Sequence, residues 1–161
     1  MADADPSTPA RSPALLVIGD FFSPAMQPVR LCVERLVDKA CDARFQAGVP
    51  ETAVSLGATF GGEPWYPDLV VVCQHWPDEF TERDVRRLLT LYPLARLSCC
   101  YGPWCQSDGR SRDIWPLATR VPVESAAGRI GRELEVLAGL RPPLPLTASR
   151  DEVFLFDTPV L

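Results

Sequence analysis

The residues most able to do chemistry in this 161-residue chain are six cysteines, one histidine and an isolated carboxylate. The thiols are Cys32, Cys41, Cys73, Cys99, Cys100 and Cys105; His75 follows Cys73 by two residues, and Asp20 follows an apolar run that ends at Gly19. No Cys-x2-Cys pair occurs, so the usual zinc spacing is absent. Cys73, His75, Cys99 and Cys105 nevertheless all fall at or just beyond the ends of apolar segments. If those segments are neighbouring strands about 4.8 Å apart, the four side chains can converge into a zinc site or a reactive thiol centre. The competing reading is that free cysteine packs as a small buried hydrophobe, which is the preferred one. Cys99 and Cys100 must point to opposite faces of a strand, so one of them at most reaches a common site. His75 has no Ser or Asp partner at a diagnostic spacing and reads as a loop residue. Asp20 reads equally well as a site acid and as a cap on its own loop.

The segments that would position these groups alternate between apolar runs and amphipathic stretches. Ala14–Ile18, Leu69–Cys73 and Leu97–Tyr101 are short continuous apolar runs, the pattern of strands buried on both faces. Thr119–Val123 gives a last short strand. A weaker one is placed near Arg44–Val49, followed by a short helix near Glu51–Ala58; an equally defensible reading makes Thr52–Leu56 the strand and leaves no helix. A helix opens at Pro28 with Val29, Val33, Leu36, Val37 and Ala40 on one face. Another opens at Thr81, with Asp84 completing a capping box, Val85, Leu88, Leu89 and Tyr92 as its buried stripe, and Pro93 as its stop. A third begins near Ser125, buries Ile130, Leu134 and Leu137, and ends at Gly139. Strands alternating with helices predict a parallel sheet covered on both faces, with the site beyond the C-terminal strand ends.

Several segments resemble the receiver domain of bacterial two-component response regulators. Pro67-Asp68-Leu69-Val70-Val71-Val72-Cys73-Gln74-His75-Trp76-Pro77 is similar to that family's Pro-Asp-Leu-(apolar)3-Asp-x-x-Met-Pro strand, and the helix up to Pro93 keeps the family spacing. Leu15 to Asp20 resembles the first strand with its acidic end, and Val121-Pro122-Val123 resembles the Lys-Pro turn after the fifth. The resemblance covers residues 14–139. It implies a flavodoxin-like, three-layer α/β sandwich with a five-stranded parallel sheet in the order 2-1-3-4-5. It also implies a degenerate pocket. The phosphoacceptor position falls on Cys73, and the first acid of the magnesium pair falls on Gly19, leaving Asp20 alone. The switch hydroxyl falls on Tyr101, or on Cys99 with a slip of two, and the phosphate-binding lysine falls on Val121, with Arg120 one residue early. One carboxylate and a thiol do not make a magnesium site.

The resulting expectation is a stand-alone pseudo-receiver, not an enzyme and without a cofactor. It would act in bacterial signal transduction through contacts with an unidentified signalling protein or as a homodimer. The thiol centre of Cys73, His75, Cys99 and Cys105 is the alternative. Trp65, Trp76, Trp104 and Trp115 read as loop residues near the C-terminal edge, serving as lids or as contacts. Trp104, Trp115 and Phe154 are the candidate partner contacts. Residues 1–12 read as a disordered arm, 13–140 as the domain, and 141–161 as a Pro-rich extension carrying an acidic-aromatic segment.

Composition narrows the field further. Charged residues are 23% and hydrophobic ones 47%, a globular balance, while 17 prolines are about twice average usage. The net charge of −5 disfavours a nucleic-acid surface. No run of 18 apolar residues exists to cross a membrane. The polar opening is not a signal peptide, so a cytoplasmic location with reduced thiols is expected.

Overall fold

The computed structural model describes residues 11–39, 41–50, 65–108 and 113–158. Five parallel strands form one sheet in the order β2-β1-β3-β4-β5: β1 Ala14–Gly19, β2 Asp42–Gln46, β3 Leu69–Gln74, β4 Arg96–Tyr101 and β5 Arg120–Pro122. With helices on both faces this is the expected flavodoxin-like α/β arrangement. Every residue of β1 and β3 is buried, which accounts for their unbroken apolar character. β2 is an edge strand and is exposed in part, so its sequence alternates weakly. It lies two residues earlier than the expected Arg44–Val49, and the helix expected near Glu51–Ala58 falls outside the described residues.

One face of the sheet carries α1 (Gln27–Val37) and α3 (Ala126–Leu137). Val29 and Val33 from α1 and Ala126 and Ile130 from α3 meet Leu15, Val17, Val71, Cys73 and Cys100. The other face carries α2 (Glu82–Leu91), whose Val85 and Leu88 pack with Leu16, Ile18, Val72, Cys99 and Trp115. α2 starts as expected: the Thr81 hydroxyl accepts from the Asp84 N–H, and the Asp84 carboxylate accepts from the Thr81 N–H. α3 ends on Gly139 at φ 72°. There Gly139 N–H donates to Val136 O and Leu140 N–H to Glu135 O.

Two helical faces differ from the expected stripes. Val37 and Leu137 are exposed, whereas Arg129 and Glu133 on α3 are fully buried. Both charges have partners from distant segments. Arg96, the first residue of β4, donates to Glu133 at 2.6 Å and to the Leu144 carbonyl at 3.0 Å. Arg129 is held by Asp157, through Nε at 2.5 Å and Nη2 at 2.7 Å, and donates to the Ala118 carbonyl.

Those contacts fold residues 141–158 onto the domain. The segment ends in a helix, α4 (Arg150–Asp157), opened by a second capping box between Ser149 and Glu152. Its Phe156 and Val153 join Ala118, Leu144 and Ala148 in a small satellite core. Phe154, on the opposite side, is 70% exposed. At the other terminus, Arg11 donates to both carboxylate oxygens of Asp68; residues 1–10 of the expected arm lie outside the described set. Among the described residues no helix is long and apolar enough to cross a membrane.

Removing Asp157 strands a desolvated guanidinium, since the Arg129 side chain has no exposure. Asp157→Ala is therefore expected to cost about 3 kcal/mol in urea unfolding. Phe154→Ala, on the exposed side of the same helix, should stay within about 0.5 kcal/mol of the parent.

Candidate functional site

The C-terminal strand ends converge where the resemblance placed its pocket, and the backbone there excludes an acid at the first position. Gly19 sits at φ 102°, and a Cβ on it would lie 2.3 Å from the Cys73 carbonyl oxygen. No side chain fits at residue 19 without moving β3. Asp20 remains, and its Oδ1 accepts from the Ser23 N–H at 3.1 Å, closing the loop after β1. Both readings of Asp20 thus persist in one side chain: one oxygen caps the loop, and the carboxylate still lines the site.

The cysteines are dispersed. Cys73 and Cys100 are register partners on the α1/α3 face, and Cys99 is in the opposite core against α2 and Trp115. Cys105 is buried in the turn after β4 and donates weakly to the Gln74 carbonyl. Among the described residues no three His, Cys, Asp or Glu side chains are placed to hold a metal ion together. The thiols are also poor nucleophiles. Burial pushes Cys73 far up, with further increments from Cys100, Glu79 and Asp20 nearby. Burial likewise raises Cys100 to about 12 and Cys105 to about 11, and holds Cys99 well above its ordinary value.

His75 does have a partner, one that sequence spacing did not reveal. The Ser23 hydroxyl lies 2.5 Å from His75 Nδ1, tying the loop after β1 to the end of β3. Glu79 fixes the next turn, its Oε2 accepting from the His75 N–H at 2.6 Å and the Trp76 N–H at 3.2 Å. Tyr101 is half-buried under Arg120, whose guanidinium stands 4.6 Å from the ring centre and donates to the Cys105 carbonyl.

Sequence reading passed over the residue that organises this edge, Gln74. Its buried amide donates to the carbonyls of Trp76 and Pro77 and to the Asp108 carboxylate. Its oxygen accepts from Trp115 Nε1 at 3.1 Å and from the Cys99 thiol. The only sequence signal for it was a polar residue at the end of a run otherwise buried on both faces.

The four tryptophans separate by environment. Trp115 is 3% exposed, edge-on to Phe80, and acts as a lid rather than the expected partner contact. Trp65 is not at this edge: its indole donates to Asp42 at the first residue of β2. Trp76 and Trp104 are neither lids nor isolated. They stack at 5.9 Å and 18° while remaining 55% and 64% exposed. At the ends of β1 and β2 a cleft of about 350 Å³ opens, lined by Gly19, Asp20, Phe21, Phe22, Phe45 and Glu79 among others; the tryptophans do not line it, and Glu79 connects the two by accepting from the Trp76 N–H.

No protein-family model, no curated protein and no solved structure matches this chain.

Gln74→Leu keeps the volume but leaves the Trp115 N–H and the Asp108 carboxylate unpartnered. It should cost about 2–4 kcal/mol and alter the near-ultraviolet circular dichroism of the tryptophans. The raised thiol values set a pH dependence. A thiol held up in the folded state contributes stability that is complete below its ordinary value of 9.0 and is lost as pH climbs towards 11 and 12. Unfolding free energy measured from pH 8 to 11 should therefore fall above pH 9. Disulfide-exchange reagents at pH 8 should label the half-buried Cys32 and Cys41 well before the other four thiols.

Proposed function

We propose that the chain is a pseudo-receiver: a receiver-like domain in a bacterial signalling system that works by binding another protein, without phosphorylation and without catalysis. The observation that carries this reading is the replacement of the phosphorylation chemistry at the sheet edge. Gly19 and Cys73 meet backbone to backbone where two acids would be required, while two stacked tryptophans stand exposed on the turns after β3 and β4.

Phosphoryl transfer at this edge would need a carboxylate acceptor and a hard-oxygen magnesium site. Cys73 is fully buried and protonated, and Asp20 is a single acid with one oxygen already committed to Ser23. Large aromatic side chains left exposed on well-ordered turns are what binding surfaces use as anchors. The sheet order and the Pro67–Pro93 sequence block support the receiver comparison. The tryptophan pair supports the binding role.

Incubation with acetyl phosphate and magnesium, followed by intact-mass measurement, is expected to leave the chain unmodified. An added phosphoryl group that disappears in Cys73→Ala or Asp20→Asn would overturn the reading.

A further inference from the structure

We infer that the C-terminal edge of the sheet is a docking cleft for an arginine side chain of a partner protein, with Asp20 and Glu79 receiving the guanidinium between aromatic walls. This deepens the binding role proposed above and rests on it.

Two groups of aromatic rings stand at this edge, joined through the buried Ser23. Phe45, Phe21 and Phe22 form one chain of ring contacts, at 4.8 and 5.5 Å between centroids. Ser23 links that chain to His75, whose ring lies 4.7 Å from Trp76, and Trp76 stacks on Trp104. The cleft opens on the first of these groups, with Glu79 as the wall it shares with the second.

Among the described residues the charge is one-sided. The described segments that leave the first four strands at this end are 20–26, 47–50, 75–81 and 102–108. They carry Asp20, Asp78, Glu79 and Asp108, and no Lys or Arg. Arg120 reaches over from β5 but is held on Tyr101 and the Cys105 carbonyl. Asp20 and Glu79 form no ion pair among the described residues, in contrast to Asp68, Glu133 and Asp157 elsewhere. Each is fixed by backbone N–H groups that orient the carboxylate without neutralising it.

A planar cation that stacks on aromatic faces and forks onto carboxylates fits this combination, and among protein side chains that is arginine. The site is also ordered in advance. Gln74 donates to the Trp76 carbonyl, the Gly102 N–H donates to the Gln74 carbonyl, and Asp20 and Glu79 are held by backbone N–H groups, so the turns and the two carboxylates need little ordering on binding.

The test is calorimetric titration of the whole chain at low salt with an acetylated tetra-arginine amide, an equally charged tetra-lysine amide and cellohexaose. Tetra-arginine should bind about tenfold more tightly than tetra-lysine, because guanidinium stacks where ammonium does not. The double variant Asp20→Asn/Glu79→Gln keeps acceptors for the same backbone N–H groups and should weaken arginine binding about tenfold or more. Trp104→Ala, at an exposed position, should weaken it as well.

No binding of tetra-arginine, equal binding of tetra-lysine, or insensitivity to the double variant each overturns the inference. Binding of cellohexaose that is lost in Trp104→Ala but unaffected by the double variant would assign the edge to neutral sugars instead. Failure of arginine binding in a chain that still refuses a phosphoryl group overturns this inference alone, whereas phosphoryl acceptance overturns the pseudo-receiver reading.

Discussion

The buried amide of Gln74 fixes the arrangement of everything at the functional edge. A primary amide removed from water is costly unless both its ends are hydrogen-bonded, and this one is bonded at both. Its partners come from the turn after β3, the turn after β4, the core of β4 and the segment before β5. Three pieces of chain outside the strands are thus tied to each other and to the core of β4 through one side chain. Trp115 is drawn in because its N–H is needed, and Trp76 is held out because its carbonyl is.

That constraint also separates the two edges of the sheet. At the N-terminal strand ends, carboxylates are neutralised: Asp68 by Arg11 and Glu133 by Arg96. At the C-terminal ends, Asp20 and Glu79 accept from backbone N–H groups instead, which occupies one oxygen of each and leaves their charge in place. The same carboxylates add to the protonation of Cys73 beneath them, after burial itself. A thiol held protonated by burial and acids without an ion-pair partner among the described residues thus sit together at this edge. The interior of the edge is inert and its rim is charged.

What could be read in the sequence is what local physics decides. The buried runs of β1 and β3, the Thr81 capping box, the Gly139 cap and the opposed faces of Cys99 and Cys100 depend on residues within a few positions of one another. The ion pairs do not. Arg129 and Glu133 look like the wet side of an amphipathic helix until Asp157 and Arg96 arrive from 28 and 37 residues away. Trp104 and Trp115 look alike in sequence, and only an acceptor 41 residues before Trp115 separates lid from platform. The Ser149/Glu152 capping box was present in the sequence but overshadowed by the prolines around residue 143.

The C-terminal helix makes a further point about exposed apolar residues. Phe154 and Leu155 are as exposed as Trp104, yet they follow from geometry alone: an eight-residue helix docked by Val153, Phe156 and Asp157 must turn its remaining side outward. No carboxylate or aromatic neighbour is organised around them by a buried network. At the sheet edge, Trp76 and Trp104 stack on each other on turns tied to Gln74, near carboxylates that form no ion pair among the described residues. Exposure that the fold maintains against collapse, and not exposure itself, distinguishes a surface built for a partner from one left over by packing.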